Sequence, residues 1–318
     1  MAAAAARPPL GYLAQHRSGR LYSTPGQQGV LSTDFSVREF FRRERGAFSS
    51  DLGLEEFEQR RLDDDVLEAV RHLWDLQRST TGRLRDLFAG WTSKEARIDA
   101  FLTTWAYEKF WIADALKRVL RAHGAPTPPE VEPDDDLRGR LGRLLDHVYP
   151  MTDSVWTNLR GERIVAGQMA RELSRESTAA ALLQRLGEVA DHPVIDRLCR
   201  ESLERTDDYI AFFREEARTR LLADASAAAP ARRALGIGYS PLVAPRMSAR
   251  RARRALEVLA PGVRERRQLS SRADAPVHSL PGLRGPAPLA AALGGGLWGL
   301  GGLRAELRCP SRGPRLCL

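Results

Sequence analysis

Residues 97–122 read RIDAFLTTWAYEKFWIADALKRVLRA, and the fold is decided there. Leu102, Trp105, Ile112, Leu116 and Val119 lie on one stripe, at the steps of three and four of a helix that faces other helices. One place in that stripe, between Trp105 and Ile112, holds Lys109. A lysine in mid-seam needs a buried acceptor unless its stem snorkels off the side of the bundle. The segments on either side bear on that choice.

A first long helix starts near Asp63, with Asp64 and Asp65 suited to the positive end of its dipole. Its seam reads Val66, Val70, Leu73, Gln77, Thr80, Leu84 and Leu87, and Gly90 closes it. Thr92 and Glu95 are placed to cap the Lys109 helix, and Gly124 with Pro126 stops it. A third helix is expected over about 152–190, with Gly161 or Gly167 as break points. Its inward line is Val165, Met169, Leu173, Glu176, Ala180, Leu183 and Leu186. His192-Pro193 reads as a helix-start turn. The fourth helix then carries Ile195, Cys199, Leu203, Thr206, Ile210, Phe213 and Ala217, with Tyr209 alongside.

Each long helix therefore carries a polar residue near its middle: Gln77, Lys109, Glu176 and Thr206 with Tyr209. In an antiparallel bundle mid-helix positions lie at one level, so these side chains should converge. The charges are one lysine and one glutamate, which predicts a buried Lys109–Glu176 pair with Gln77, Thr206 and Tyr209 as hydrogen-bond partners. The fold class is all-α, a four-helix bundle with short accessory helices, and no strand pattern of any length is present.

Outside these helices the pattern thins. Ser36 and Glu39 have capping-box spacing and open a short helix to Gly46, which Phe40 and Phe41 should pack onto the body. A short helix is expected near Leu137–Val148, and an Ala- and Arg-rich helical stretch across one end of the bundle. Residues 1–32 are read as disordered, 33–260 as the bundle domain, and 261–318 as a disordered basic tail rich in Pro, Gly and Arg.

The net charge of +8 over 318 residues belongs mostly to that tail. Residues after Ala228 carry about +12 on their own. Arg250, Arg251, Arg253 and Arg254 are read as a solvated helix face, and no nucleic-acid partner is expected. Leu289–Leu303 is apolar but Gly-broken and too short to span a bilayer, so no membrane partner is expected either. The opening residues do not read as a secretory signal. Three cysteines make no disulfide framework, so a cytoplasmic location is expected. His72, His123, His147 and His192 are read as scattered at helix ends and loops, without metal-ligand spacing.

The blocks FSVREFF, HLWDLQRSTTGRLRDL, FLTTWAYEKFWIADAL, ESTAAALLQRLGEVADHPV and YIAFFREEA, over about residues 35–260, resemble ferritin-like di-iron carboxylate proteins. The likeness is to actinobacterial ones related to acyl-carrier-protein desaturases. In such proteins two helices each give a glutamate, and two each give Glu-x-x-His. The resemblance places Gln77, Lys109, Ile112, Glu176, Thr206 and Tyr209 on the six ligand positions, and only Glu176 keeps the ligand type. An ammonium and an isoleucine cannot ligate iron. No cofactor is therefore expected; the alternative is two iron ions in a shifted register using Glu108, Glu204 and Asp208. A slip of one residue turns a side chain by about 100°, so Glu108 and Glu204 are read as solvated flank charges.

The resemblance implies three functional classes. The first is a partner or scaffold without di-iron chemistry, forming a homo- or hetero-oligomer with a ferritin-like homologue or docking an acyl carrier protein. The second is a metal-independent enzyme reusing the bundle cavity, with Lys109 as base or Schiff-base nucleophile and Tyr209 and Glu176 orienting or protonating. The third is a di-iron desaturase or hydroxylase acting on an acyl or carrier-bound substrate.

Overall fold

The computed structural model describes residues 33–90, Thr92, and residues 95–127, 163–236, 238–243 and 249–294. The expected disorder of residues 1–32 and the short helix near Leu137–Val148 lie outside the described residues. Every regular element among the described residues is helical. In chain order they are α1 (Val37–Arg42), two 3-10 segments (Ser49–Leu52 and Leu54–Glu58), α2 (Asp64–Arg78) and α3 (Thr80–Ala89). Then follow α4 (Ala96–Ala122), α5 (Arg163–Ala190), α6 (Pro193–Ala223), a 3-10 turn (Ala225–Ala227) and α7 (Ala228–Ala234). Last come α8 (Ala249–Leu259), α9 (Val263–His278) and α10 (Pro288–Gly294).

Four long helices close a ring. α2 packs on α4 and α5, α4 reaches α6, and α5 lies along α6 over its length. The α5–α6 link is tight because Asp191 takes a left-handed conformation, φ 41°, and His192 starts the next helix. The His192 Nδ1 accepts from the Val194 N–H at 3.2 Å, and Pro193 at the first position gives up no needed donor. α1 opens as its spacing predicts, with Ser36 Oγ accepting from the Glu39 N–H at 3.3 Å. It stops at Arg42 rather than Gly46, and only Phe40 turns inward; Phe41 is 59% exposed.

The core above the mid-plane is aromatic. Phe101 and Phe212 stack with centroids 3.5 Å apart, while Phe35, Phe213 and Trp105 meet these rings or one another edge-on. At the other end Phe57 sits between His123 and His192. Both imidazoles are fully committed. His123 Nε2 accepts from the Leu62 N–H at 3.0 Å while its Nδ1 bonds the Val119 carbonyl, and His192 Nε2 bonds the Arg60 carbonyl.

Three expectations need correction. The first long helix is two helices: it ends at Arg78, and α3 restarts at Thr80. Ser79 Oγ donates to the Leu76 carbonyl at 2.7 Å, local bonding that competes with a continuous helix. Beyond that break Arg83, not Leu84, is the buried residue. The third helix runs unbroken through Gly167. A Cβ there would lie 3.4 Å from Ala231 Cα, so the glycine lets α7 approach.

The largest correction concerns the tail. α9 and α10 fold onto the outer side of α5, and α8 onto α2, so the chain past residue 260 is structured at least to Gly294. Leu269, Ala273, Val277, Leu280, Leu283 and Leu289 are all buried. Asp274 joins the two helices by accepting the Leu289 and Ala290 N–H groups, each at 3.0 Å. Leu269, Ala273 and Val277 recur at steps of four on α9, a stripe obscured by the surrounding arginines and Pro276, while Leu280 and Leu283 follow outside any helix and Leu289 lies on the short α10. Residues 295–318 lie outside the described residues. No helix of the described residues is long and apolar enough to cross a membrane.

Truncation after Gly262 is therefore expected to destabilise the protein strongly. Each buried leucine or valine stabilises by about 1.5–3 kcal/mol. Five of them should lower the thermal midpoint by more than about 10 °C. A truncated chain that melts with the intact one would show that α9 and α10 are passengers.

Candidate functional site

The mid-seam residues of α4 and α5 meet as their positions predict. Lys109 Nζ donates to Glu176 Oε2 at 2.7 Å, with both side chains 2% exposed or less. The snorkelling alternative is thereby removed. Burial lowers the Lys109 pKa and the nearby Arg83 guanidinium adds to this, while Glu176 pulls it back up.

The partners of this pair are not the expected ones. Thr206 Oγ1 donates to the Ser202 carbonyl of its own helix at 2.7 Å. Tyr209 passes Lys109 with its ring centroid 5.8 Å from Nζ, and its hydroxyl donates to Glu108 Oε2 at 2.8 Å. Gln77 is buried, with neither amide atom bonded within the described residues. Ile112 is fully buried among apolar neighbours.

Three charged residues that the seam analysis missed complete the network. Arg83 Nη2 lies 3.4 Å from Glu176 Oε1, and Arg83 Nε lies 3.1 Å from Glu172 Oε2. Glu172 also pairs with Arg175. Burial alone would push the Glu172 carboxyl up, but Arg175, Arg83 and Arg171 together hold it below its ordinary value. Arg83 is steadied by donating to Ser79 Oγ at 3.0 Å and Thr80 Oγ1 at 3.1 Å. These residues escaped the seam analysis because that analysis gave each helix one inward face.

A cavity of about 20 Å³, room for about one or two waters, opens beside the pair. Gln77, Lys109, Arg83, Arg175 and Glu176 line it, and Pro241 and Val243 roof it.

Glu108 is the second correction. It is 2% exposed, not a solvated flank charge, because α1 and the chain after it cover α4. Its carboxylate accepts from the Arg45 backbone N–H at 2.8 Å as well as from Tyr209. Burial raises the pKa of Glu108 and raises that of Tyr209 well above the phenol range, the latter helped by Glu108 itself. Glu204 does sit at the surface, paired with Arg45 at 2.9 Å, and Asp208 faces Arg43 at 3.4 Å. Glu108 and Glu204 thus share Arg45, through its backbone N–H and its guanidinium, while Asp208 meets Arg43, and among the described residues the three do not gather in metal-binding geometry. A third polar cluster lies near the start of α4, where buried Glu216 binds Arg97 and Arg220, and Arg220 reaches Glu95 at 2.7 Å.

This donor set does not suit two iron ions. Of the six positions implied by the resemblance only Glu176 offers an anionic ligand, and both of its oxygens already face cations. Among the described residues no three His, Cys, Asp or Glu side chains gather in metal-binding geometry. His72 is not at a helix end: it is buried within α2 with both ring nitrogens unbonded. Comparison with family models, with curated proteins and with solved structures finds no match.

Two measurements follow from this geometry. Glu176→Gln should destabilise by about 3–5 kcal/mol, because it strands the buried Lys109 ammonium, and Lys109→Met should cost less, because Arg83 still faces Glu176. The double variant should lose about 1–3 kcal/mol less than the sum, a coupling that equilibrium unfolding of the four chains measures. Additive losses would mean the pair is not directly coupled.

The second measurement is of pH dependence. Burial lowers the His72 pKa from 6.5 to about 4. The unfolded chain then takes up this proton first, so stability is full above pH 6.5 and falls by about 3 kcal/mol by pH 4. His72→Leu should remove that part of the acid slope. Parallel curves for the two proteins would place the titration elsewhere.

Proposed function

We propose that the chain is a ferritin-like bundle in which a charge-paired centre stands where two metal ions would sit, and that it works as a partner or scaffold protein rather than a catalyst. One observation carries this reading: Lys109 and Glu176 neutralise each other at 2.7 Å in the mid-bundle, beside a space of only about 20 Å³. Lys109 Nζ is directed at the Glu176 carboxylate at 2.7 Å, and an amine committed to that contact is not presented to a carbonyl. The acid once assigned to it is also engaged elsewhere, since the Tyr209 proton is directed at Glu108. A substrate of ordinary size has no room at Nζ.

The outer surface supports the interaction role. Tyr107 and Phe110, 43% and 51% exposed, flank the partly buried Trp111 on the outer side of α4, and both rings meet it edge-on. Grouped exposed aromatics of this kind mark contact surfaces more often than isolated ones do. A homologous bundle, a second copy and an acyl carrier protein are all partners that such a face admits.

The test is chemical. Protein expressed with iron supplied and purified in air should contain well under about one iron per chain, since one carboxylate already paired with two cations cannot hold two ions. Borohydride reduction in the presence of small aldehydes and carrier-bound ketones should leave Lys109 unmodified by mass spectrometry. Two irons with an oxo-bridge absorption would restore the oxidase reading, and a Lys109 adduct would restore the lysine enzyme.

A further inference from the structure

The cavity beside the ion pair has two features that the pair does not explain. The first is Gln77. Its side chain is 1% exposed and lines the cavity, yet neither Nε2 nor Oε1 has a partner within the described residues. An amide buried without partners costs about 1–3 kcal/mol, so such a group marks a missing neighbour. The second is the charge count. Lys109, Arg83 and Arg175 bring three positive charges, and Glu176 and Glu172 two negative ones, which leaves one positive charge over. Arg171 adds to the same positive field at Glu172.

The carboxylates do not repel a guest strongly, because their oxygens are turned to cations. Glu176 presents Oε2 to Lys109 and Oε1 to Arg83, and Glu172 faces Arg83 and Arg175. Donor capacity is left over on the other side. The Lys109 ammonium has three N–H groups and one recorded bond, and the Gln77 amide adds two more donors. A water could satisfy the amide, but it would leave the excess charge buried and unbalanced.

We infer that this cavity is a binding site for one small monovalent anion, held by the Gln77 amide and the Lys109 ammonium with Arg175 at its side. The volume limits the guest to about one to three heavy atoms, a chloride ion or a carboxylate of formate size. The inference stands whether or not the bundle acts as a scaffold. Its consequence is that the centre of the protein is neutral only when the anion is bound, so the stability of the bundle follows the concentration of that anion.

The experiment uses the full chain. Its thermal midpoint is followed over rising sodium chloride or sodium formate, at ionic strength held constant with sodium gluconate, which is too large to enter. The midpoint should rise and saturate with chloride or with formate, and acetate should act more weakly than formate. Which of the first two acts at lower concentration identifies the preferred source of the charge. In Gln77→Leu, checked for fold by circular dichroism, the half-saturating concentration should rise at least tenfold. Arg175→Gln, at a position 19% exposed, serves where the first variant does not fold, and should shift it in the same direction. A wild-type midpoint that ignores both anions would overturn the inference and leave a bound water as the occupant. An equal response in the variants would overturn it too, since the anion would then be acting on the surface.

Discussion

A lysine ammonium taken out of water needs a counter-charge at contact distance, and the middle of this protein is arranged by that need. Lys109 cannot leave the seam of α4, because Trp105 and Ile112 on either side of it are fully buried. Glu176 must therefore face it from α5, and this fixes the rotation and level of the two helices relative to each other. The carboxylate has a second oxygen, which also needs a donor. Arg83 supplies it, and the break at Ser79 is what turns Arg83 inward. Arg83 in turn needs more than one acceptor, which brings in Glu172 and then Arg175. Each member is present because the previous one is incompletely satisfied. A network of this kind is neutral at best for stability, but it penalises any slip of one helix past another, since a slip strands a charge.

The same logic recurs at two further levels of the bundle. Glu108 takes the Tyr209 hydroxyl and the Arg45 backbone N–H on one side, and Glu216 takes Arg97 and Arg220 near the start of α4. Aromatic packing fills the space between, with Phe101 stacked on Phe212. Polar layers set register and apolar layers supply the burial energy. Beside the mid-bundle layer lies a cavity, and the Gln77 amide that lines it is unbonded among the described residues.

The C-terminal helices change what kind of protein this is. α5 has its outer side covered by α7, α9 and α10, so it lies inside the molecule instead of at the edge of a ring. That covering accompanies the burial of Ser174, Ser177 and Thr178, none of which lies on the seam facing the ring, whereas Glu172 is buried on the side of α5 that meets Arg83.

The seam spacing of the long helices was enough to read an all-helical fold and the Lys109–Glu176 contact, and the His192-Pro193 turn marked the start of α6. Periodicity is a local property, and a lone lysine and a lone glutamate on two seams have only each other. What spacing could not supply was any feature that depends on a third element. Arg83 and Glu172 read as outward residues because a regular helix in a four-membered ring has one inward face. The break at Ser79 turns Arg83 inside, and Glu172 meets it there as its partner. Tyr209 was assigned to the central pair and Glu108 to solvent for the same reason, since α1 and the chain after it had to fold over α4 before Glu108 left water. The folded part of the tail stayed illegible because the stripe of Leu269, Ala273 and Val277 is short and set among arginines, and Leu280 and Leu283 lie outside any helix, where burial is decided by the surface they land on.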